Sequence, residues 1–328
     1  MQYIGCLGAA KIAPKALCDP AEKIDGATLY TIAARDISRA KRFADKHKFE
    51  MVSESYDALI HDPTVTLVYN ALPINLHATW TIGALSAGKH VLCEKPFAMN
   101  LAEAEAMLAA AQASGARVIE AFHYRYHPAF ATMLDWISNG EIGDIQRIEA
   151  VFTVPISDRG GQEIRHLKET GGGAFMDLGC YPLHWVRSVM GTEPETIEAD
   201  ASLTPRGVDE TLTAQLGFAG GAVADLSASM AKDTQFQARL SVTGSRGTIL
   251  FENPLAPHTG ARLVLDGPKG QISAEISRIP TYAYQLAAVI DGLERGHALP
   301  TEGEDTLAQQ AAIDRIYASA GLAHLRTL

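Results

Sequence analysis

The chain has 328 residues, enough for two medium domains. Its 47% apolar content can fill real cores, and no apolar run reaches the roughly 18 residues of a membrane-spanning helix. With 28 basic against 38 acidic residues and a formal net charge of −10, a nucleic-acid surface is not expected.

The N-terminus, MQYIGCLGAAKIAP, lacks a basic leader with a cleavage site and reads as a strand from its first residues. YIGCLG is a short apolar strand ending in glycine. KIAPKALCDP follows with helical spacing and a proline near its start, where proline is tolerated. ATLYTIAAR is a second strand, and DISRAKRFADKHK an amphipathic helix capped by Asp36 or Ser38. TLVYNAL is a third strand, NLHATWTIGALSAG a helix ending at Gly88, and HVLCE a fourth strand. NLAEAEAMLAAAQASG is a helix with Asn100 as cap and Gly115 as stop, and RVIEAF is a fifth strand. Strands alternating with helices of this length predict an α/β domain over residues 1–122 with a doubly wound parallel (Rossmann) sheet.

The pattern changes at residue 123. HPAFATMLDWIS is a helix, IQRIEAVFTVP a strand, and GGGAFMDLGCYPLHWVRSVMG a helix opened by three glycines. Long strand runs follow: ETIEADASLT, DETLTAQLGFA, GAVADLSASMA, QFQARLSVTG and GTILFEN. Gly220-Gly221 and Ser245-Arg246-Gly247 mark hairpins. Two helices, YQLAAVIDGLERG and EDTLAQQAAIDRIYASAG, close the chain. Residues 123–328 therefore read as a C-terminal α+β domain with a large, mainly antiparallel open sheet and helices on one face. Alternation in TLTAQLGF and AVADLSASM is expected to leave the second face apolar enough to bury against a partner.

Four cysteines (Cys6, Cys18, Cys93, Cys180) show neither metal-ligand spacing nor a paired framework, so reduced thiols in a cytoplasmic protein, and no metal, are expected.

IGCLGAAKIA lies between the first strand and the first helix, where a dinucleotide fingerprint belongs. Gly8 is present, while Ala10 and Ala13 stand where later glycines often sit. Alanine still lets backbone approach a pyrophosphate, and the helix start still offers N–H groups. At the tip of the second strand, where NAD-binding proteins usually place an acidic residue, stand Arg35 and, nearby, Ser38 and Arg39. A guanidinium suits a 2′-phosphate, so NADP(H) is preferred; Asp36 falling at the acidic position would instead favour NAD.

HVLCEKPFAMN poses a separate problem. An apolar strand ends in Glu94, Lys95 and Pro96, and lysine is seldom buried without a partner. In DLGCY, Asp177 and Tyr181 are four residues apart and share a helical face, with His184 three further on. A carboxylate on that apolar stripe needs a partner, for which Lys95 is a candidate.

These marks together (GAAKIA, LHATW, CEKP, GGGAFMDLGCY and VTGSRGT) resemble the glucose–fructose oxidoreductase / inositol dehydrogenase / MocA family over essentially the whole length. Within it the chain looks most like dimeric dihydrodiol dehydrogenases and NADP-dependent xylose-type aldose dehydrogenases. The resemblance implies a two-domain NAD(P)-dependent oxidoreductase moving a hydride between nicotinamide and a CH–OH or C=O carbon of a sugar, cyclic polyol or diol. It places Lys95, Asp177 and Tyr181 in catalysis, with Tyr181 standing where a histidine is commoner. It implies cofactor contacts from Gly8, Ala9, Ala10, Lys11, Ile12, Arg35, Ser38 and Arg39, from Ala71, Leu72, Pro73, Asn75 and His77 after the third strand, and from Glu94, Lys95 and Pro96, the last often following a cis bond. Substrate contacts are expected from His123, Tyr124, Arg125 and His184, with Arg165 and His166 as weaker candidates, and His184 is also the rival base. A homodimer or higher homo-oligomer through the C-terminal sheet is implied. The family also contains ligand-sensing regulators without turnover and glycosidases that use a held dinucleotide, and both readings stay open here.

Overall fold

The computed structural model describes residues 1–326. The chain divides into two compact units: Met1–His123 with Tyr282–Leu307, and Tyr124–Thr281 with the stretch from Ala308 onward.

The first unit holds β1 (Gln2–Leu7), a π-turn (Pro14–Cys18) running into α1 (Asp19–Ala21), β2 (Ala27–Ala33), α2 (Ile37–His47), β3 (Met51–Val52), α3 (Tyr56–Ile60), β4 (Leu67–Asn70), α4 (His77–Ser86), β5 (His90–Cys93), α5 (Leu101–Ser114) and β6 (Val118–Glu120). Its six strands are parallel in the order β3-β2-β1-β4-β5-β6. The order reverses between β1 and β4, the switch point outside whose carboxyl ends ligands bind in such sheets. Helices on a parallel sheet bury its strands, and Leu7, Val68, Val91 and Val118 lie in one core with Ala84, Leu85 and Met107. The expected caps are present. Asp36 accepts from the amides of Ser38 and Arg39. Asn100 accepts from Glu103 N, and Gly115 ends α5 in the left-handed region.

The second unit contains α6 (Pro128–Ser138), β7 (Ile145–Thr153), a π-turn (Phe175–Gly179) running into α7 (Cys180–Met190), then β8 (Thr196–Leu203), β9 (Asp209–Gly217), β10 (Val223–Ser229), β11 (Gln237–Gly244), β12 (Thr248–Glu252), β13 (Arg262–Gly267) and β14 (Gly270–Ser273). The sheet order is β14-β13-β12-β11-β7-β10-β9-β8. The β7–β10 pair is parallel and the other pairs are antiparallel. Helices α8 (Thr281–Arg295) and α9 (Glu304–Ser319) complete the chain.

Four features depart from the sequence reading. The parallel sheet has a sixth strand, β3, too short to show an alternation. The antiparallel sheet gains β13 and β14, whose Leu263-Val264-Leu265 run is buried throughout and so lacks a period of two. Residues 282–307, read as part of the second domain, return to the first unit. There Arg117 donates to Glu302 at 2.7 Å and to the Gly292 carbonyl at 2.6 Å, and Thr301 exchanges hydrogen bonds with Glu120 of β6. The fourth concerns the large sheet. Leu212, Ala214, Leu216, Ala224, Leu226 and Ala228 are all buried, on the side where α7 and its π-turn pack. The alternate positions, Thr213, Gln215, Asp225 and Ser227, face the other way with Arg147, Glu149 and Arg239. A period of two sends these six apolar residues to one side, and leaves Val151 and Val223 among polar residues on the other. The second face is therefore polar, with a shallow groove of about 540 Å³ lined by Glu149, Asp200, Asp225 and Arg239 among others.

Candidate active site

In the first unit, the carboxyl ends of β1, β2, β4 and β5 assemble most of the residues expected at a nucleotide. Gly8 has a φ of 94°, which favours glycine, and a Cβ there would press on Leu72 Cδ2 at 3.1 Å, where the β1 loop approaches the Ala71–Leu72 loop. Arg39 reaches back from α2 to donate to the Ala9 carbonyl at 2.6 Å. Arg35 and Ser38 are exposed at the tip of β2. The carboxylate of Asp36 is engaged in capping α2, at 2.8 Å from Ser38 N.

The question set by Glu94-Lys95-Pro96 has a geometric answer. β5 stops at Cys93, and the Lys95–Pro96 bond is cis. Glu94 accepts from the hydroxyl of Tyr69 at 2.7 Å. Burial, reinforced by the Glu94 charge, pushes the Tyr69 phenol well up, so it stays a donor. Tyr69 escaped the sequence reading, although a tyrosine inside a buried strand needs a partner for its hydroxyl. His77, expected at the cofactor, is 1% exposed, with Nε2 at 2.8 Å from the Leu72 carbonyl and Nδ1 at 3.1 Å from that of Pro96. Its ring faces backbone. His123 stacks on Tyr282 with ring centroids 3.9 Å apart.

In the second unit, Asp177 lies in the π-turn that precedes α7. Arg165 donates from Nε to Asp177 Oδ2 at 2.5 Å and from a terminal nitrogen to Glu163 at 2.9 Å. The Asp177 charge raises the guanidinium's pKa further. The triple glycine makes this pairing possible. The amides of Gly172 and Gly173 donate to the carbonyls of Leu167 and Arg165, each at 2.9 Å, and a Cβ on Gly172 would come within 2.7 Å of both carbonyl oxygens. The wider π-turn offsets Asp177 from the simple four-residue spacing to Tyr181. Tyr181 is 5% exposed, edge-on to Tyr124 and Phe152. Tyr124 is fully buried, its hydroxyl 2.5 Å from Nδ1 of His184, itself 1% exposed. Arg125 lies over the Phe130 ring, and His166 bonds the Ile156 carbonyl at 2.9 Å.

Two observations fit a dinucleotide in the first unit. One is the positive-φ turn at Gly8 at the carboxyl end of β1, the place of the close backbone approach to a pyrophosphate. The other is Asn75 Oδ1, buried without a hydrogen-bond partner in the protein, which suits a ligand hydroxyl or amide donor.

Fold and loop chemistry together define a two-domain nucleotide-binding oxidoreductase. Residues 3–122 match the model of the oxidoreductase family with an NAD-binding Rossmann fold, and residues 130–250 match the GFO/IDH/MocA C-terminal domain. The uncharacterized oxidoreductase ORF334 of Rhizobium meliloti is 35% identical over 326 residues, covering 96% of each chain. D-xylose 1-dehydrogenase (NADP(+)) 2 of Haloferax volcanii is 30% identical, again over 96% of each. The crystal structure of a 3-ketoreductase from Actinomadura kijaniata with NADP and TDP-benzene superposes with a TM-score of 0.89 at 28% identity, covering 97% of both chains. The chain belongs to the GFO/IDH/MocA family of NAD(P)-binding oxidoreductases. Among the described residues no helix is long and apolar enough to cross a membrane.

Proposed function

We propose that the protein is an NADP(H)-preferring dehydrogenase or reductase acting on a CH–OH or C=O carbon of a sugar or related polyol. The observation that carries the reading is the end of β5: a buried strand delivers Lys95 to the carboxyl edge of a parallel sheet, at a turn organised by Glu94 and Tyr69. The substrate class is supported by the relatives, one named as a xylose dehydrogenase and one as a 3-ketoreductase seen with a TDP ligand. Preference for NADP(H) is supported at the tip of β2. There Asp36 caps a helix and Arg39 holds the Ala9 carbonyl, which leaves Arg35 and Ser38 to face a 2′-phosphate.

Bound nicotinamide supplies or accepts the hydride. The Gly8–Ile12 loop, Ala71–Pro73 and Asn75 hold the dinucleotide. Lys95 contributes positive charge at the reacting oxygen and stabilises a developing alkoxide. Tyr181 gives or takes the proton. Asp177, fixed by Arg165, orients a substrate hydroxyl. A homodimer through the C-terminal sheet belongs to the same reading, with a polar rather than apolar contact face. A cytoplasmic location belongs to the same reading, since the four cysteines are buried and free; burial raises the thiols of Cys6 and Cys93 well above their usual range and that of Cys18 to about 12, which keeps them protonated.

The test is a panel of aldoses, cyclic polyols and diols with NADP⁺ and NAD⁺ in parallel, followed by absorbance at 340 nm, with Lys95→Ala as control. Turnover of a sugar or polyol with NADP⁺, lost in Lys95→Ala, is the expected result. NADPH binding without turnover of any substrate would favour a sensor, and activity within tenfold in Lys95→Ala would remove Lys95 from the chemistry.

A further inference from the structure

We infer that His77 is a positioning residue for Lys95: its buried imidazole is packed between the loop after β4 and the turn after β5, donating to one of them, and so sets where the lysine side chain starts. The inference rests on the proposed role of Lys95.

His77 is the first residue of α4, and its ring is buried against two backbone segments. Nε2 lies 2.8 Å from the Leu72 carbonyl, and Nδ1 lies 3.1 and 3.2 Å from the carbonyls of Pro96 and Phe97. These segments leave the carboxyl ends of the neighbouring parallel strands β4 and β5, where an open sheet of this kind holds its ligand. A ring so enclosed has no edge left for a ligand, so it acts through the backbone it grips. The carbonyls facing Nδ1 belong to the two residues that follow Lys95.

A second buried side chain completes the brace. Asn70, the last residue of β4, accepts from Leu72 N at 3.3 Å and donates to the His77 carbonyl at 3.3 Å and to Thr81 Oγ1 at 3.1 Å. The Glu94 amide donates to the Asn70 carbonyl at 3.0 Å. Strand β4, helix α4 and the Glu94–Phe97 turn are thus joined by one buried network, and such networks fix a geometry when their members are satisfied. Carbonyls only accept, so both sides of the ring are engaged at once when both nitrogens carry hydrogen; a neutral ring secures one side. Burial, with the Lys95 charge adding to it, disfavours the doubly protonated form, so the ring donates to one side and packs against the other.

His77→Phe keeps the ring volume and removes the donor; His77→Gln keeps a donor without the ring. In wild-type protein without ligand, the Lys95 side-chain resonance is identified by NMR as the one missing from Lys95→Ala. It is then titrated in both variants, with NADPH affinity measured by fluorescence and stability by thermal unfolding. His77→Phe is expected to displace the Lys95 resonance and its titration, with Gln intermediate. Displacement of a reactive group of this kind costs on the order of tenfold to a hundredfold in kcat, while NADPH affinity changes less. A Lys95 resonance and titration unmoved in both variants overturns the inference. So does a kcat within threefold of wild type in His77→Phe where Lys95→Ala is inactive. If Lys95→Ala is itself active, the role of Lys95 fails instead, a result separate from the resonance, which reports the brace alone.

Discussion

The Asp177 carboxylate is bound by the Arg165 guanidinium at 2.5 Å, across twelve residues of chain that contain a triple glycine. Arg165 is held in turn by Glu163, so one cation serves two carboxylates. Removing Arg165 takes one cation from Asp177 and makes its carboxyl easier to protonate. Arg165→Ala should therefore lower kcat/KM by about tenfold or more and move the acid limb of the pH–rate profile to higher pH. Arg165→Lys should recover part of the loss, lacking the planar fork. An unchanged acid limb in Arg165→Ala would assign the pair to loop structure alone.

Arg35 and Arg39, four residues apart, should behave differently. Arg39 is engaged with the Ala9 carbonyl in the β1 loop, so its loss should weaken NADP⁺ and NAD⁺ alike. Arg35 should matter only to the phosphorylated cofactor. A charge-assisted contact of this kind is worth about 1.5–3 kcal/mol. Arg35→Ala should thus raise KM for NADP⁺ about tenfold or more and leave NAD⁺ nearly unaltered. Equal effects of Arg35→Ala on both cofactors would make it a surface residue.

Much of this was legible because the first unit is locally encoded. Asp36, Asn100 and Gly115 sit where capping chemistry puts them, and the strands between are continuous apolar runs. What escaped was non-local. Nothing in the spacing of Arg165 and Asp177 announces their pairing, which depends on Gly172 nesting against two carbonyls. Lys95 was the partner expected for Asp177; Arg165 is one that the second unit itself supplies. Residues 282–307 read as ordinary amphipathic helix and gave no sign that Arg117 and Glu120 would capture them. The polar face of the large sheet was misjudged because alternation tells that one face is apolar, not that the second is.

That polar face makes the expected oligomer sensitive to salt. Arg147 pairs with Asp225 there, and Nε of Arg239 is buried without a hydrogen-bond partner. Contacts between exposed charges are screened within about 3 Å at 1 M ionic strength. Sedimentation should find a dimer at micromolar concentration in dilute buffer and a shift toward monomer in 1 M NaCl, roughly the ionic strength at which that screening applies. Arg239→Glu should weaken the dimer. A monomer in dilute buffer would contradict the proposal.

Acid should destabilise the fold before the carboxylates titrate. Burial lowers the pKa of His77, His90 and His127 below the usual histidine value of 6.5. Above that value both folded and unfolded chains hold these rings neutral. As pH falls through it, the unfolded chain takes up protons that the native state resists, so their contribution is lost progressively toward the folded values. Urea midpoints should decline between pH 7.5 and pH 5, and His127→Gln should flatten the decline. A midpoint constant over that range would mean that these rings charge in place.

Tyr181 and His184 are the two candidates for the proton, and their surroundings differ. A free phenol has a pKa of about 10, too high for a base at neutral pH without a neighbouring cation. An imidazole needs no such tuning. Position weighs the other way. His184 is enclosed in α7 with Nδ1 at the Tyr124 hydroxyl, and Tyr124 is itself fully buried, so this pair belongs to the packing behind Tyr181. Tyr181 stands one turn nearer to Asp177 and lies edge-on to Tyr124 and Phe152. Tyr181→Phe should lower kcat by about 10²–10⁴ and erase the basic-limb dependence of oxidation. His184→Asn should keep that limb. Its cost should appear as lost stability, about 1–3 kcal/mol if the Tyr124 hydroxyl is left unpaired. Full pH–rate profiles and urea denaturation of the two variants decide the matter. If His184→Asn erases the limb and Tyr181→Phe retains it, the roles are exchanged and Tyr181 is packing.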